Sequence, residues 1–123
     1  MSPTSHNKIL IILSQSPYSG SLAREAIDYC LAAAAFEQNI QLLFTGDAVL
    51  QLLKDQQPES INQKNIAKTL SALPIYGIDQ FYVDQEALTQ YGLVEQPLAL
   101  PVTKLSPIEM ADLLACASRT LNF

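Results

Sequence analysis

Behind Lys8 the chain runs apolar without interruption from Ile9 to Leu13. Such a run suits a strand buried on both faces of a parallel sheet, and Lys8 to Leu13 reads as the first strand. The turn-rich stretch Ser14-Gln15-Ser16-Pro17-Tyr18-Ser19-Gly20 follows, and from Ser21 the period changes. Ala23, Ala26, Ile27, Cys30, Leu31 and Ala34 recur at three- and four-residue spacing, which predicts a helix whose small-residue face sits close on a sheet. Ile40 to Thr45 reads as a second buried strand ended by Gly46. Asp47 is the expected N-cap of a short helix carrying Val49, Leu50, Leu52 and Leu53.

The second half repeats the alternation. Lys54 to Ser60 is polar and contains Pro58, so it reads as a loop, and Ser60 with Gln63 predicts a capping box. The helix that follows has Ile66, Leu70 and Leu73 on one face, and Pro74 and Gly77 break the chain after it. Gln80-Phe81-Tyr82-Val83 predicts a short strand, Asp84 starts a helix through Tyr91, and Gly92 closes it. Leu98 to Val102 reads as a fourth strand, which Pro97 and Pro101 push toward an edge or irregular position. Ser106-Pro107-Ile108-Glu109 has a capping serine, a proline at the first helical position and a glutamate at the third, so a helix through about Ser118 is expected. Arg119 to Phe123 is the expected last strand. The alternation implies an α/β three-layer sandwich with a mainly parallel sheet of about five strands. Residues 1–7 are expected to be a flexible tail and residues 8–123 a single domain, with ligands or partners at the carboxyl ends of the strands.

Composition narrows the function classes. The chain has 123 residues, 49% of them hydrophobic, which suffices for one core and leaves no room for a second domain. Twelve acidic against seven basic side chains leave a formal charge of −5, which opposes a phosphate backbone or an anionic bilayer. Direct nucleic-acid binding and membrane binding are therefore not expected. The longest apolar run, Tyr29 to Phe36, is far short of the roughly 18 residues that span a bilayer. The Ile9 to Leu13 run is too short for a signal peptide, so a cytoplasmic location is expected. With two cysteines and one histidine, neither a disulfide framework, nor a multi-histidine metal site, nor an internal Ser/His/Asp triad is expected, and no cofactor is implied.

Few side chains suggest chemistry. The Ser14 to Gly20 loop stands where related sheets bind phosphate, yet it has a single glycine and matches no dinucleotide or P-loop fingerprint, so it reads as a connection or interface loop. Arg24 and Glu25 read as a solvent-facing or interfacial ion pair. Cys30, with apolar neighbours at 26, 27, 31 and 34, reads as a core thiol, and Cys116, beside Leu113, Leu114 and Ala117, as a second structural one. Tyr76, Phe81, Tyr82 and Tyr91 lack the basic neighbours of a base-stacking platform, with only Lys64 and Lys68 nearby, and read as core or protein interface.

Taken in order along the chain, the residues resemble a known family. Pro17 and Gly20 precede Arg24-Glu25 and Asp28, then come Phe44 with Asp47, Val49 and Gln51-Leu52-Leu53. Gln57-Pro58, Leu73-Pro74 with Tyr76 and Ile78, Tyr82-Val83, Leu88 and Gly92-Leu93 complete the pattern. The whole chain resembles the sulfur-relay DsrE/DsrF-like proteins, and among them the TusC/DsrF-type subunit, a flavodoxin-like α/β fold. The resemblance implies a hetero-oligomer with TusB/DsrH-like and TusD/DsrE-like sisters, in which persulfide sulfur passes from a TusA-like donor to a TusE-like acceptor. Its end point is 2-thiolation of the tRNA wobble uridine, or sulfur oxidation in the Dsr version. A homo-oligomer is the expected state without the sisters.

In the TusD/DsrE-like sister the relay cysteine lies just after a strand, at the start of the next helix, where a thiolate is stabilised. The matching position here is Asp84, whose carboxylate cannot carry a sulfane sulfur. The resemblance therefore implies a non-catalytic subunit, the competing reading being a persulfide carrier at Cys30 or Cys116. Pro17, Tyr18, Ser19, Gly20, Arg24, Glu25, Asp47, Tyr76 and Tyr82 are the expected strand-end interface.

Overall fold

Parallel strands need crossovers, and each crossover in this chain carries an apolar stripe to the sheet. The computed structural model describes residues 8–14, 22–36, 38–52, 69–95, 97–98 and 100–123. Its strands are β1 (Lys8–Leu13), β2 (Asn39–Phe44), β3 (Gln80–Asp84), β4 (Thr103–Leu105) and β5 (Arg119–Asn122). They form one sheet in the order β4-β3-β2-β1-β5, with every neighbouring pair parallel. The helices are α1 (Leu22–Ala35), α2 (Gln85–Gln90) and α3 (Pro107–Cys116), with 3₁₀ segments at Gly46–Leu52 and Leu73–Tyr76. This is the expected α/β sandwich.

Strand alternation divides the interior unequally. Ile9, Ile11 and Leu13 of β1, Ile40, Leu42 and Phe44 of β2, and Phe81 and Val83 of β3 point to the main core. There they meet Ala26, Ile27 and Cys30 of α1, Ala48, Val49 and Leu52, Leu70 and Leu73, and Ala87 and Leu88 of α2. The small side chains of α1 let its backbone lie close to the sheet, as their spacing predicts. On the other face, among the described residues, the buried hydrophobic set is Leu10, Leu43 and Leu105, met by Met110, Leu113 and Ala117 of α3 and by half-buried Ile12 and Tyr82, with buried Gln41 of β2 on the same side. No residue of α3 is itself buried.

Local signals placed most boundaries. The Ser106 Oγ accepts from the Glu109 N–H at 3.3 Å while a Glu109 carboxylate oxygen accepts from the Ser106 N–H at 2.9 Å, so the expected capping box is formed. Helix α3 ends at Cys116, two residues before the expected Ser118. Gly92, at φ 67°, closes α2: its N–H donates to Thr89 O at 3.1 Å and Leu93 N–H donates to Leu88 O at 2.8 Å. The same pattern recurs at Gly77, φ 88°, with Gly77 N–H to Pro74 O and Ile78 N–H to Leu73 O. In both turns the apolar residue on each side, Leu88 with Leu93 and Leu73 with Ile78, is buried. Pro74 thus lies inside a tight 3₁₀ turn, and Gly77 makes the break.

Two expected elements differ. The fourth strand is Thr103–Leu105, not Leu98 to Val102. Leu98 makes only an isolated bridge, since Pro97 and Pro101 have no N–H to give a ladder, and pairing with β3 starts two residues past Pro101. It is an edge strand, as the prolines suggested. Gly46–Leu52 is a 3₁₀ helix with Asp47 inside it, so Asp47 is not an N-cap. The tail, Ser60 with Gln63, Ile66 and Leu53 fall outside the described residues, and Ala23 is described for its backbone alone.

The asymmetry of the two faces predicts an asymmetry in stability. Leu42→Ala empties a fully buried position and is expected to cost about 2–5 kcal/mol, whereas Leu113→Ala at the half-covered face costs about 1 kcal/mol. Urea unfolding of the two variants, compared at equal m-value, measures the difference.

Candidate functional site

The carboxyl ends of the strands are tied together by main-chain bonds. Thr45 donates to Leu13 O through its N–H at 2.9 Å and its Oγ1 at 3.3 Å, which joins β2 to β1. Ser14 donates to Phe123 O through its N–H at 3.0 Å and its Oγ at 3.2 Å, which joins β1 to the chain end after β5. Gly46 then turns the chain at φ 52°, a conformation that disfavours any side chain even though the space beside it is open enough. Around this rim, among the described residues, stand the carboxylates of Glu25, Asp47, Asp84, Glu86 and Glu109.

Asp84 and Glu109 are engaged within their own helix caps, and Asp47 is engaged across the fold. The Asp84 Oδ1 accepts from the Glu86 N–H at 3.0 Å, which makes Asp84 the N-cap of α2, as expected. Asp47 accepts a hydrogen bond from the Tyr91 hydroxyl. That bond first, then slight desolvation and the Asp47 charge, push the Tyr91 phenol above its ordinary value. The Ser106 N–H and then its hydroxyl hold the Glu109 carboxyl below the usual range. Beside Glu86, a shallow hollow of about 470 Å³ is lined by Gln85, Thr89, Gln90, Ser106 and Pro107. It is open, and its two hydroxyls are engaged locally, Thr89 donating to Gln85 O at 3.0 Å and Ser106 accepting from the Glu109 N–H at 3.3 Å.

The expected interface is only partly brought together. Arg24, Glu25 and Asp47 are exposed at the carboxyl-end rim. Pro17, Tyr18, Ser19 and Gly20 lie outside the described residues. Tyr76 is exposed but precedes β3, so it stands at the opposite, amino end of the sheet. Tyr82 lies in mid-strand, half-buried on the α3 face, and not at the strand end. Phe81 points to the opposite face from Tyr82, so adjacent aromatics in sequence are separated by the sheet itself. The Asp47–Tyr91 pair escaped the sequence reading, because 44 positions separate its members and only the fold adjoins them.

The two thiols have opposite settings. Cys30 is fully buried in α1, and that burial pushes its pKa up to about 12 despite a backbone hydrogen bond that lowers it. Cys116 is exposed, which corrects its assignment as a structural cysteine. Helix α3 starts beside the carboxyl end of β4 and delivers Cys116 to the other end of the sheet, where Ser118 N–H donates to Lys8 O at 2.8 Å. A ten-residue helix spans about 15 Å, so Cys116 stands far from Asp84. The larger hollow, about 530 Å³ and walled by Tyr29, Phe36 and Arg119, is also at the amino end. Among the described residues, no group of three or more His, Cys, Asp or Glu could hold a metal ion. No described helix is long and apolar enough to cross a membrane.

Comparison with known proteins places this geometry. The profile of the DsrE/DsrF-like family matches residues 7–123. The chain belongs to the DsrE/DsrF-like family. It is 43% identical over 106 residues to a TusC homolog of Pseudomonas aeruginosa, an alignment covering 86% of this chain and 89% of that one. It is 35% identical over 117 residues to the TusC protein of Buchnera aphidicola subsp. Baizongia pistaciae, covering 94% and 98%. The crystal structure of the ychN protein from E. coli shares the fold, with a TM-score of 0.81 at 23% identity and coverage of 95% and 99%. The TusC type expected from the residue pattern is therefore upheld for this DsrE/DsrF-like chain.

Thiol chemistry checks this account of the site. With an alkylating reagent at mildly alkaline pH, Cys116 is expected to react at once and Cys30 only after unfolding. Because the Cys30 pKa rises from 9.0 to about 12 on folding, stability is complete below pH 9 and falls as pH climbs toward 12. The slope is about 1.4 kcal/mol per pH unit. Cys30→Ala should remove that slope, read as the difference in urea midpoint between the two proteins across this range.

Proposed function

We propose that the chain is a non-catalytic subunit of an intracellular sulfur relay. It works with TusB/DsrH-like and TusD/DsrE-like sisters in the cytoplasm, supporting 2-thiolation of the tRNA wobble uridine. The observation that carries the reading is Asp84. At the strand-to-helix position where the resemblance puts a relay thiol, the chain has a carboxylate already spent on capping α2. A carboxylate oxygen cannot form the S–S bond of a persulfide. Neither cysteine substitutes for it, since Cys30 is buried and Cys116 is at the other end of the sheet. Likeness to TusC proteins over nearly the whole chain supports the Tus version of the relay.

Reconstitution from a persulfidated TusA-like donor, the three subunits and a TusE-like acceptor tests this. Omitting the chain should abolish thiolation of the wobble uridine, while Cys30→Ala and Cys116→Ala should leave it unchanged. Loss of transfer in Cys116→Ala would overturn the non-catalytic assignment. Because a net charge of −5 gives few cations to exchange for counterions, the isolated chain is expected not to retard tRNA in a mobility shift at near-physiological salt.

A further inference from the structure

The edge of the sheet forms one wall of a hollow that the relay chemistry does not use. Helix α1 packs on β1 and β2, which leaves the edge strand β5 on its flank. Arg119 pairs in register with Ile9 of the main core, and Leu121 and Phe123 pack against that core, so Arg119 projects on the α1 face of this strand. Opposite it stand Tyr29, Ala32 and Ala33 of α1 and Phe36 just past its end. The two alanines are why space remains, since a longer side chain at either position would fill it. Tyr29 is braced by Phe123, the ring centroids lying 6.3 Å apart at a tilt of 46°. The hollow holds about 530 Å³, within the range of roughly 300–1,000 Å³ typical of pockets for small molecules.

Its lining sets one cation beside an aromatic wall, and that pairing selects the ligand. Among the described residues the Arg119 guanidinium has no ion-pair or hydrogen-bond partner, and none of the lining side chains is acidic. A planar guanidinium matches a carboxylate through two parallel N–H···O bonds. Tyr29 and Phe36 stand two turns apart, about 10 Å along the helix axis, which leaves room for one ring over the alanines. Charge limits the anion. The carboxyl-terminal end of α1 faces the same end of the sheet with no basic residue in its last turn, and its dipole places about half a negative charge there. Against that field one guanidinium balances a single negative charge, and not the nearly two of a phosphate ester. We propose that this hollow binds a small organic monocarboxylate bearing an aromatic ring, with the carboxylate on Arg119 and the ring between Tyr29 and Phe36. The site lies at the amino end of the sheet, away from Asp84, and does not depend on the relay reading.

Titration of the purified chain with 3-phenylpropionate, followed through the NMR amide signals of Ala33, Phe36 and Arg119, tests the site. These signals should shift in a saturable way. The uncharged 3-phenylpropionamide should bind about tenfold or more weaker than the carboxylate. Arg119→Gln should weaken the carboxylate by about tenfold or more and leave the amide unchanged, whereas Phe36→Ala should weaken both by severalfold. Ala32→Leu, which fills the hollow from an exposed position, should weaken both as well. Arg119 and Phe36 are exposed, so neither of their substitutions should move the urea midpoint. Arg24→Gln, at an exposed cation on the carboxyl-end rim, should leave binding unchanged. Absence of a saturable shift, equal affinity for the carboxylate and its amide, or binding that survives both Arg119→Gln and Phe36→Ala overturns the proposal. Inorganic phosphate that binds as tightly as 3-phenylpropionate overturns the choice of a monocarboxylate. None of these outcomes bears on sulfur transfer, which reconstitution tests separately.

Discussion

A sheet of parallel strands has two apolar faces, and this chain covers them very unequally. The order β4-β3-β2-β1-β5 means that the first three crossovers step the same way across the sheet. With right-handed crossovers, all three deposit their connecting segments on one face. Only the return from β4 to β5 runs the other way, and it has a single ten-residue helix to offer. The main core, the half-buried second face and the exposed apolar side of α3 all follow from that one topological fact.

The same constraint shapes the carboxyl-end rim. There β2, β1 and the chain end are stitched by Thr45 and Ser14, while α2 and α3 each begin with a self-contained cap. On this rim Asp84 and Glu109 accept hydrogen bonds from main-chain N–H groups, and Asp47 accepts one from a tyrosine hydroxyl. Such a rim is acidic.

Cysteine placement illustrates how burial and direction separate two similar residues. Both lie in helices with apolar neighbours, and in sequence both look internal. Cys30 faces a sheet covered by several elements, whereas Cys116 ends a helix that has a sheet on one side and solvent on the other. A hydrophobic neighbourhood in sequence is thus no measure of burial where, among the described residues, the helix concerned is the sole cover of its face.

What the sequence determined by itself was local. The strand at Lys8–Leu13, the Asp84 cap and the Ser106/Glu109 box depend on residues within a few positions of one another, whose backbone bonds form wherever the segment ends up. The family pattern likewise lies along the chain and was legible there. Tertiary structure alone decided that Tyr76 stands at the amino end, that Tyr82 and Phe81 part to opposite faces, and that Tyr91 reaches Asp47. It also moved the fourth strand past Pro101 and left Cys116 in solvent. These depend on strand order and on which face each crossover covers, and those are set by contacts between residues tens of positions apart that no local period records.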